Sequence, residues 1–381
     1  MIQKIINGKI ISPDPLPENY SILIKDDVIL EVNDDQALPQ DIPTIDAKEQ
    51  WVTPGLIDIH VHGGHAFDTM DNEPEALVEM SRYFASTGVT SFLPTTTAAS
   101  ELDVSNAIKR IQTFIQPDNG ARVLGIHLEG PFLGHKHKGA QPEQHLRPAK
   151  PEEYHSWIES GVVKLFTVAP EIEGVLDLIT AGTKAGVRFA VGHSSASYET
   201  MLDAIERGLS QATHTFNGMP PLHHREPGVV GAVLTDDRVY AQIITDGIHL
   251  HPAIVDLVFK AKGIDRTVLI TDAIRAAGAQ DGLHQLGDQM VTVKDGIART
   301  STGSLAGSTL SMNQALQNTT RFTGRKFEEI IRSATSVAAE SIGMENQIGS
   351  IKPGLKADVV ILDENFVPQT CIVSGKVVYK K

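Results

Sequence analysis

Several short apolar runs in this chain end on a histidine or a carboxylate, and stretches of helical periodicity separate most of the runs. The runs lie at residues 56–62, 89–93, 123–129, 163–169, 188–191, 212–215, 239–244 and 267–271. Near-continuous apolar character is the mark of a parallel strand buried on both faces. Eight such runs alternating with helices over about 250 residues predict an α/β fold of the TIM type, a (β/α)₈ barrel. A doubly wound open sheet is the second choice. Helix signals support the alternation. Pro74 is expected in the first turn of a helix that ends before Gly88, and Ser100 is expected to cap a helix running toward Ile115, with Asp103 reaching back to the cap. Residues 197–207 and 252–262 are also expected to be helical.

Both ends of the chain read as short strands. Residues 2–6 and 9–11 flank Asn7-Gly8, a hairpin signal, and residues 20–25 and 28–32 flank Asp26-Asp27. Residues 357–362 and 371–379 read the same way, with a turn at Ser374-Gly375. Neither end is long enough to fold alone. The expected organisation is therefore a small β-sandwich built from residues 1–52 together with 349–381, beside a barrel spanning 53–348.

Thirty-three Lys plus Arg against 47 Asp plus Glu give a net charge of −14, which argues against nucleic-acid or anionic-membrane binding. It leaves room for a small phosphorylated ligand, which needs only a few local donors. The single cysteine, Cys371, excludes an intrachain disulfide and fits a cytoplasmic setting. No signal-peptide core and no apolar run of about 18 residues is seen.

The chemistry-bearing residues fall at the ends of the apolar runs. His60 and His62 are two apart on a strand, so both imidazoles face the same side. They precede Gly63-Gly64, at the end of the barrel where active sites lie. The spacing alone is weak in a chain with fifteen histidines, and His135/His137 and His249/His251 share it. Glu129 ends the third run, where no neighbouring Lys or Arg offsets the cost of burying it. His193 and His214 end the fifth and sixth strands, and Asp272 ends the eighth. Delivered to one rim, this set suits a divalent metal: zinc or iron(II) first, cobalt or manganese next. Asp272 is placed to act as a general base and acid beside it. Gly-x-Ser-x-Gly, His-Glu-x-x-His and Walker patterns are absent from the sequence. The glycine-rich stretch from Thr302 to Ser308 could line a ligand or simply precede a helix.

Pro54-Gly55-Leu56-Ile57-Asp58-Ile59-His60-Val61-His62-Gly63-Gly64 resembles the opening of amidohydrolase superfamily members. His127-Leu128-Glu129-Gly130-Pro131-Phe132, Gly192-His193-Ser194, His214-Thr215-Phe216-Asn217-Gly218-Met219, Asp246-Gly247-Ile248-His249 and Leu305-Ala306-Gly307-Ser308 follow in order. As an ordered set these are similar to the N-acetylglucosamine-6-phosphate deacetylase family. The resemblance implies a main metal site at Glu129, His193 and His214. It implies a second at His60 and His62, with Glu129 bridging, and Asp272 as catalytic acid and base. It assigns Asn217, Gly218, Arg225 and His249 to the phosphate and sugar, and Ala140, Leu305, Ala306 and Gly307 to further substrate contacts. Gln141 stands where some members carry a histidine that polarises the acetyl carbonyl. The superfamily's carboxylated lysine has no counterpart, and Glu129 would replace it.

The expected reaction is hydrolysis of N-acetyl-D-glucosamine 6-phosphate to D-glucosamine 6-phosphate and acetate, with one or two ions per subunit, in a homodimer. N-acetylgalactosamine-6-phosphate deacetylation is the near alternative. A cyclic-amide hydrolase or deaminase, or a non-catalytic scaffold, is more distant.

Overall fold

The computed structural model describes residues 1–11, 16–17 and 19–381. Its centre is a ring of eight parallel strands: β1 (Leu56–Val61), β2 (Val89–Thr96), β3 (Ile126–Glu129), β4 (Val163–Val168), β5 (Arg188–Val191), β6 (Leu209–Ala212), β7 (Tyr240–Ile243) and β8 (Thr267–Leu269). Each strand pairs with the next in the series. The ring meets itself at one parallel bridge, Val61 to Ala273. This is the barrel expected from the alternation.

The apolar runs form strands because both of their faces are covered. Leu56, Ile57, Ile59 and Val61 of β1 are all buried, as are Phe92 and Leu93 of β2 and Leu165 and Phe166 of β4. Amphipathic helices supply the outer cover. In Glu101–Thr113 the buried side is Val104, Ala107, Ile108 and Ile111. Ser100 caps this helix by accepting the Asp103 N–H, and the Asp103 carboxylate takes the Ser100 hydroxyl at 2.5 Å. The first helix is Ala76–Ser86, so Pro74 stands ahead of it rather than in its first turn.

β6 lies at Leu209–Ala212 where residues 212–215 were expected, and β8 stops at Leu269, which leaves His214 and Asp272 beyond the ladders. The reason is local: His214 has φ of 32° and Asp272 has φ of 52°, left-handed conformations that cannot continue a strand.

Both termini build a sandwich of two sheets. One has the order Val28–Asp34, Tyr20–Lys25, Ile2–Ile6, Thr44–Asp46; the other Lys9–Ile10, Trp51–Pro54, Val359–Leu362, Pro368–Val373, Lys376–Lys380. Ile5, Ile22, Ile24, Val52, Val359, Ile361 and Ile372 pack between them. Asn7-Gly8 is not the hairpin turn that its sequence suggests. Ile2–Ile6 pairs with Tyr20–Lys25, and Lys9–Ile10 pairs with Trp51 and Val52, so the chain changes sheets at this point. A Cβ on Gly8 would lie 2.3 Å from Val52, so the glycine serves the close approach between sheets.

A three-stranded meander after the barrel was not anticipated: β9 (Gly282–Leu286), β10 (Gln289–Lys294) and β11 (Ile297–Thr300). Leu286, Val291, Val293 and Ala298 pack with Ile274, Ala276 and Ala306, which sets it over the mouth of the barrel. Among the described residues, no helix is long and apolar enough to cross a membrane.

Candidate active site

The ionisable side chains that end several barrel strands gather at its C-terminal mouth. His60 projects from β1, and His62 follows immediately after that strand; Glu129 is the last residue of β3. His193 and His214 stand two residues past β5 and β6, and both have left-handed φ, 49° and 32°. Such conformations persist where the surroundings impose them, and they gather at functional sites. Here they turn the two imidazoles from the strand direction toward the axis.

Six side chains converge as a result. Glu129 Oε1 lies 3.2 Å from His193 Nε2 and 3.1 Å from His214 Nε2. Its other oxygen lies 3.2 Å from His62 Nε2 and 3.7 Å from His60 Nε2. Asp272 Oδ1 closes the ring, 3.3 Å from His60 Nε2 and 3.2 Å from His62 Nε2. All six groups are buried. Burial opposes charge on Glu129, but the charge of His60 and the hydrogen bonds of His193 and His214 outweigh it and hold the carboxyl well below its usual range. Asp272 behaves alike: burial works against it, and His60 and His62 bring it down to about 2.

The donor chemistry fits divalent cations. His60 Nε2 and His62 Nε2 face each other at 3.2 Å, as do His193 Nε2 and His214 Nε2. The opposite ring nitrogens are committed to carbonyls: His62 Nδ1 to Thr95, His193 Nδ1 to His137 and His214 Nδ1 to Asn217, at 3.0–3.2 Å. A carbonyl must receive a proton, so each Nδ1 carries one; an Nε2 that gives up its own proton then turns a lone pair inward, the form that binds a metal. Lone pairs and carboxylate oxygens facing one another at these distances need a positive charge among them. Two sets of ligand atoms have this arrangement, His60, His62 and Glu129, and Glu129, His193 and His214, each within 4.8 Å.

A cavity of about 40 Å³ opens onto this cluster, lined by His62, Glu129, His193, His214 and Asp272 together with Thr97, Ala140, Gln141, Leu286 and Gly307. Gln141 is held at both ends of its amide: its Nε2 donates to Glu129 Oε2 at 2.6 Å, and its Oε1 accepts the Ala98 N–H at 2.8 Å. Ala140 is fixed through its carbonyl by Gln289 of β10. Ala306 is buried and Leu305 half-buried in the segment that runs past Asp272.

The remaining expected substrate residues lie outside that lining. Gly218 abuts the site, since a Cβ there would come 2.8 Å from His193 Nδ1. Asn217 donates to the His214 carbonyl at 3.2 Å. Arg225 is exposed and donates to His224 Nε2 at 2.8 Å. His249 is bound through Nδ1 to Asp246 at 2.7 Å.

Two contributors were not singled out from sequence. Leu286 reaches the site on the meander, whose alternating Val291 and Val293 were its signal. Asp246 holds His249, and it was visible only as part of the Asp246-Gly247-Ile248-His249 string.

The comparisons agree with this geometry. The model of the amidohydrolase family matches residues 51–378. An N-acetylglucosamine-6-phosphate deacetylase of Vibrio furnissii is 40% identical over 329 residues, covering 86% of this chain and 82% of that protein. An N-acetylgalactosamine-6-phosphate deacetylase of Escherichia coli O157:H7 is 38% identical over 362 residues, covering 94% of each. The solved structure of a mutant N-acetyl-D-glucosamine-6-phosphate deacetylase from Mycobacterium smegmatis, in complex with N-acetyl-D-glucosamine-6-phosphate, superposes with a TM-score of 0.91 at 28% identity, covering 100% of this chain and 99% of that one.

Proposed function

The chain belongs to the amidohydrolase family, and we propose that within it this protein hydrolyses N-acetyl-D-glucosamine 6-phosphate to D-glucosamine 6-phosphate and acetate. The observation that carries this reading is Glu129, whose two oxygens face two separate pairs of histidines while Asp272 closes the ring. The named relatives support the substrate.

His60, His62 and Glu129 would hold one divalent ion, and Glu129, His193 and His214 would hold a second. Zinc or iron(II) suits this ligand set best, with cobalt or manganese as substitutes. A divalent ion so held polarises an acyl oxygen and makes a nearby water acidic. Asp272 takes a proton from the attacking water as its oxygen bonds to the acetyl carbon. It passes that proton to the sugar nitrogen as the carbon–nitrogen bond breaks, so acetate and a free amine leave. Arg225, Asn217 and the backbone N–H of Gly218 hold the phosphate and sugar, and Arg225 brings the forked donor set that phosphate oxygens fit. His249 donates to the same substrate. Ala140, Gln141, Leu305, Ala306 and Gly307 wall the acetamide end.

The working form is a homodimer. Exposed apolar Leu222 and Ile248 adjoin Arg225 and His249 in sequence, which suits a subunit contact beside the phosphate site. The single, buried Cys371 suits a reducing cytoplasm.

The test is acetate release from N-acetyl-D-glucosamine 6-phosphate, before and after chelation, with N-acetyl-D-galactosamine 6-phosphate in parallel. Chelator-sensitive release restored by zinc, iron or cobalt supports the reading. No release from folded, metal-loaded protein overturns the substrate, and faster turnover of the galacto compound transfers it to that epimer.

A further inference from the structure

Asp272 occupies the weakest joint of the barrel. β8 ends at Leu269, and the ring closes through the single bridge from Val61 to Ala273, so no continuous ladder carries Asp272. Its φ of 52° is one that an L-residue keeps only when its neighbours impose it. Those neighbours are specific. On the β1 side, the fully buried Asp58 accepts the Thr271 hydroxyl at 2.6 Å, the Thr271 N–H at 3.4 Å and the His60 N–H at 3.2 Å. On the other side, Ser308 donates its hydroxyl to the Thr271 carbonyl at 2.5 Å and its N–H to the Asp272 carbonyl at 2.8 Å. The Asp272 N–H goes to the His60 carbonyl at 3.0 Å. The Ala273 N–H returns to the Thr271 hydroxyl at 3.2 Å, and the Ala273 carbonyl accepts from His62 and Gly63 at 2.8 and 2.9 Å. Every backbone donor and acceptor from Thr271 to Ala273 is thereby occupied.

We propose that Asp58, Thr271 and Ser308 form a clasp across the barrel seam that positions the Asp272 carboxylate, with the Thr271 hydroxyl at its centre. The clasp ties the conformation of Asp272 to the backbone of His60, so the proton-handling group and the histidine pair opposite it move as one unit. None of the three side chains has a place in the substrate pocket as described above. Their effect therefore falls on turnover and not on substrate binding. This inference rests on the proposed role of Asp272.

The test compares Thr271→Val, which keeps the branched shape and removes the hydroxyl, with Thr271→Ser, which keeps the hydroxyl. Ser308→Ala removes the second donor and leaves Asp58 fully paired. Each variant is measured for kcat and KM in acetate release, for metal per subunit by elemental analysis, and for melting temperature. The expected result is a fall in kcat of about 10- to 100-fold in Thr271→Val and Ser308→Ala, the scale of a small misplacement of a reacting group. KM stays within about twofold, metal content matches the wild type, and Thr271→Ser recovers most of kcat. Unchanged kcat in both hydroxyl deletions overturns the clasp. So does a loss in Thr271→Ser equal to that in Thr271→Val, or a metal loss that accounts for the fall in kcat. If Thr271→Val does not fold, Ser308→Ala decides by the same criteria. Asp272→Asn separates the two levels: if it keeps wild-type kcat the reading of Asp272 fails, whereas if it is inactive and both deletions are fully active only the clasp fails.

Discussion

Gln141 donates to Glu129 Oε2 at 2.6 Å, and that same oxygen is the one turned toward His60 and His62. With its oxygen on the Ala98 N–H and one amide N–H on Glu129, the Gln141 amide is held in a fixed plane against the carboxylate. Its task is to set the angle of the shared carboxylate. Removing the partner of a metal-binding carboxylate typically costs about 10- to 100-fold in affinity. Gln141→Ala is expected to lose divalent metal that much more readily in a chelator competition. Retention equal to wild type would mean that the histidines alone orient Glu129.

Asp272→Asn keeps the shape of the side chain and removes its ability to take a proton. Turnover is expected to fall by about 10²- to 10⁴-fold, the usual contribution of a general acid–base. Metal per subunit is expected to stay unchanged, because His60, His62, Glu129, His193 and His214 supply the ligands without it. Elemental analysis beside acetate-release kinetics checks both parts. Substantial residual turnover would move the proton to another group.

The barrel was legible because period and burial are local properties. Apolar runs such as Val163–Val168 cannot be satisfied except inside a covered sheet. The convergence of histidines and carboxylates was legible because each member stands at or just past the end of such a run. What could not be read is where the chain leaves the strand. His214 and Asp272 look like strand ends in sequence, yet their left-handed φ values are set by hydrogen bonds to Asn217, His60 and Ser308, which are tertiary partners or turn partners. Asn7-Gly8 failed as a hairpin signal for a related reason: turn chemistry fixes the bend but not which strand pairs afterward, and packing on Val52 decided that.

Gly307 has φ of 59°, and a Cβ there would sit 2.5 Å from Ile274 and 2.8 Å from the Asp272 carbonyl oxygen. The carbonyl belongs to backbone that the site fixes and cannot yield cheaply. Gly307→Ala is expected to cost about 1–3 kcal/mol of stability through overpacking, with kcat falling more than KM rises. Thermal or denaturant unfolding measures the first and kinetics the second. A variant with wild-type stability and turnover would show that this segment relaxes freely away from Asp272.

Arg225 is exposed and, among the described residues, bonded only to the neighbouring His224, so its removal leaves no buried group unpaired there. Arg225→Ala is therefore expected to fold normally. In its proposed role Arg225 touches the phosphate in both ground and transition states, so KM for the phosphorylated sugar is expected to rise while kcat changes little. Preference for the phosphorylated sugar over free N-acetyl-D-glucosamine shrinks with it. A preference that survives the substitution would remove Arg225 from the phosphate site.

Asp246 accepts three bonds from one turn of chain: His249 Nδ1 at 2.7 Å and the N–H groups of Ile248 and His249, both at 2.8 Å. Burial pushes this carboxyl up, but the hydrogen bond and charge of His249 outweigh it and leave it below its ordinary value. A carboxyl whose folded pKa is depressed stabilises the fold above its unfolded pKa, about 4, and that contribution is lost as pH falls through the folded value. Asp246→Asn, which keeps the backbone acceptor but not the charge, is expected to melt below wild type near neutral pH. The gap should narrow as pH drops under about 4. The same bond fixes the ring of His249, so under its proposed substrate role KM should rise at neutral pH as well. A gap in melting temperature that stays constant across the acid range would show that shape, and not the charge of Asp246, holds His249.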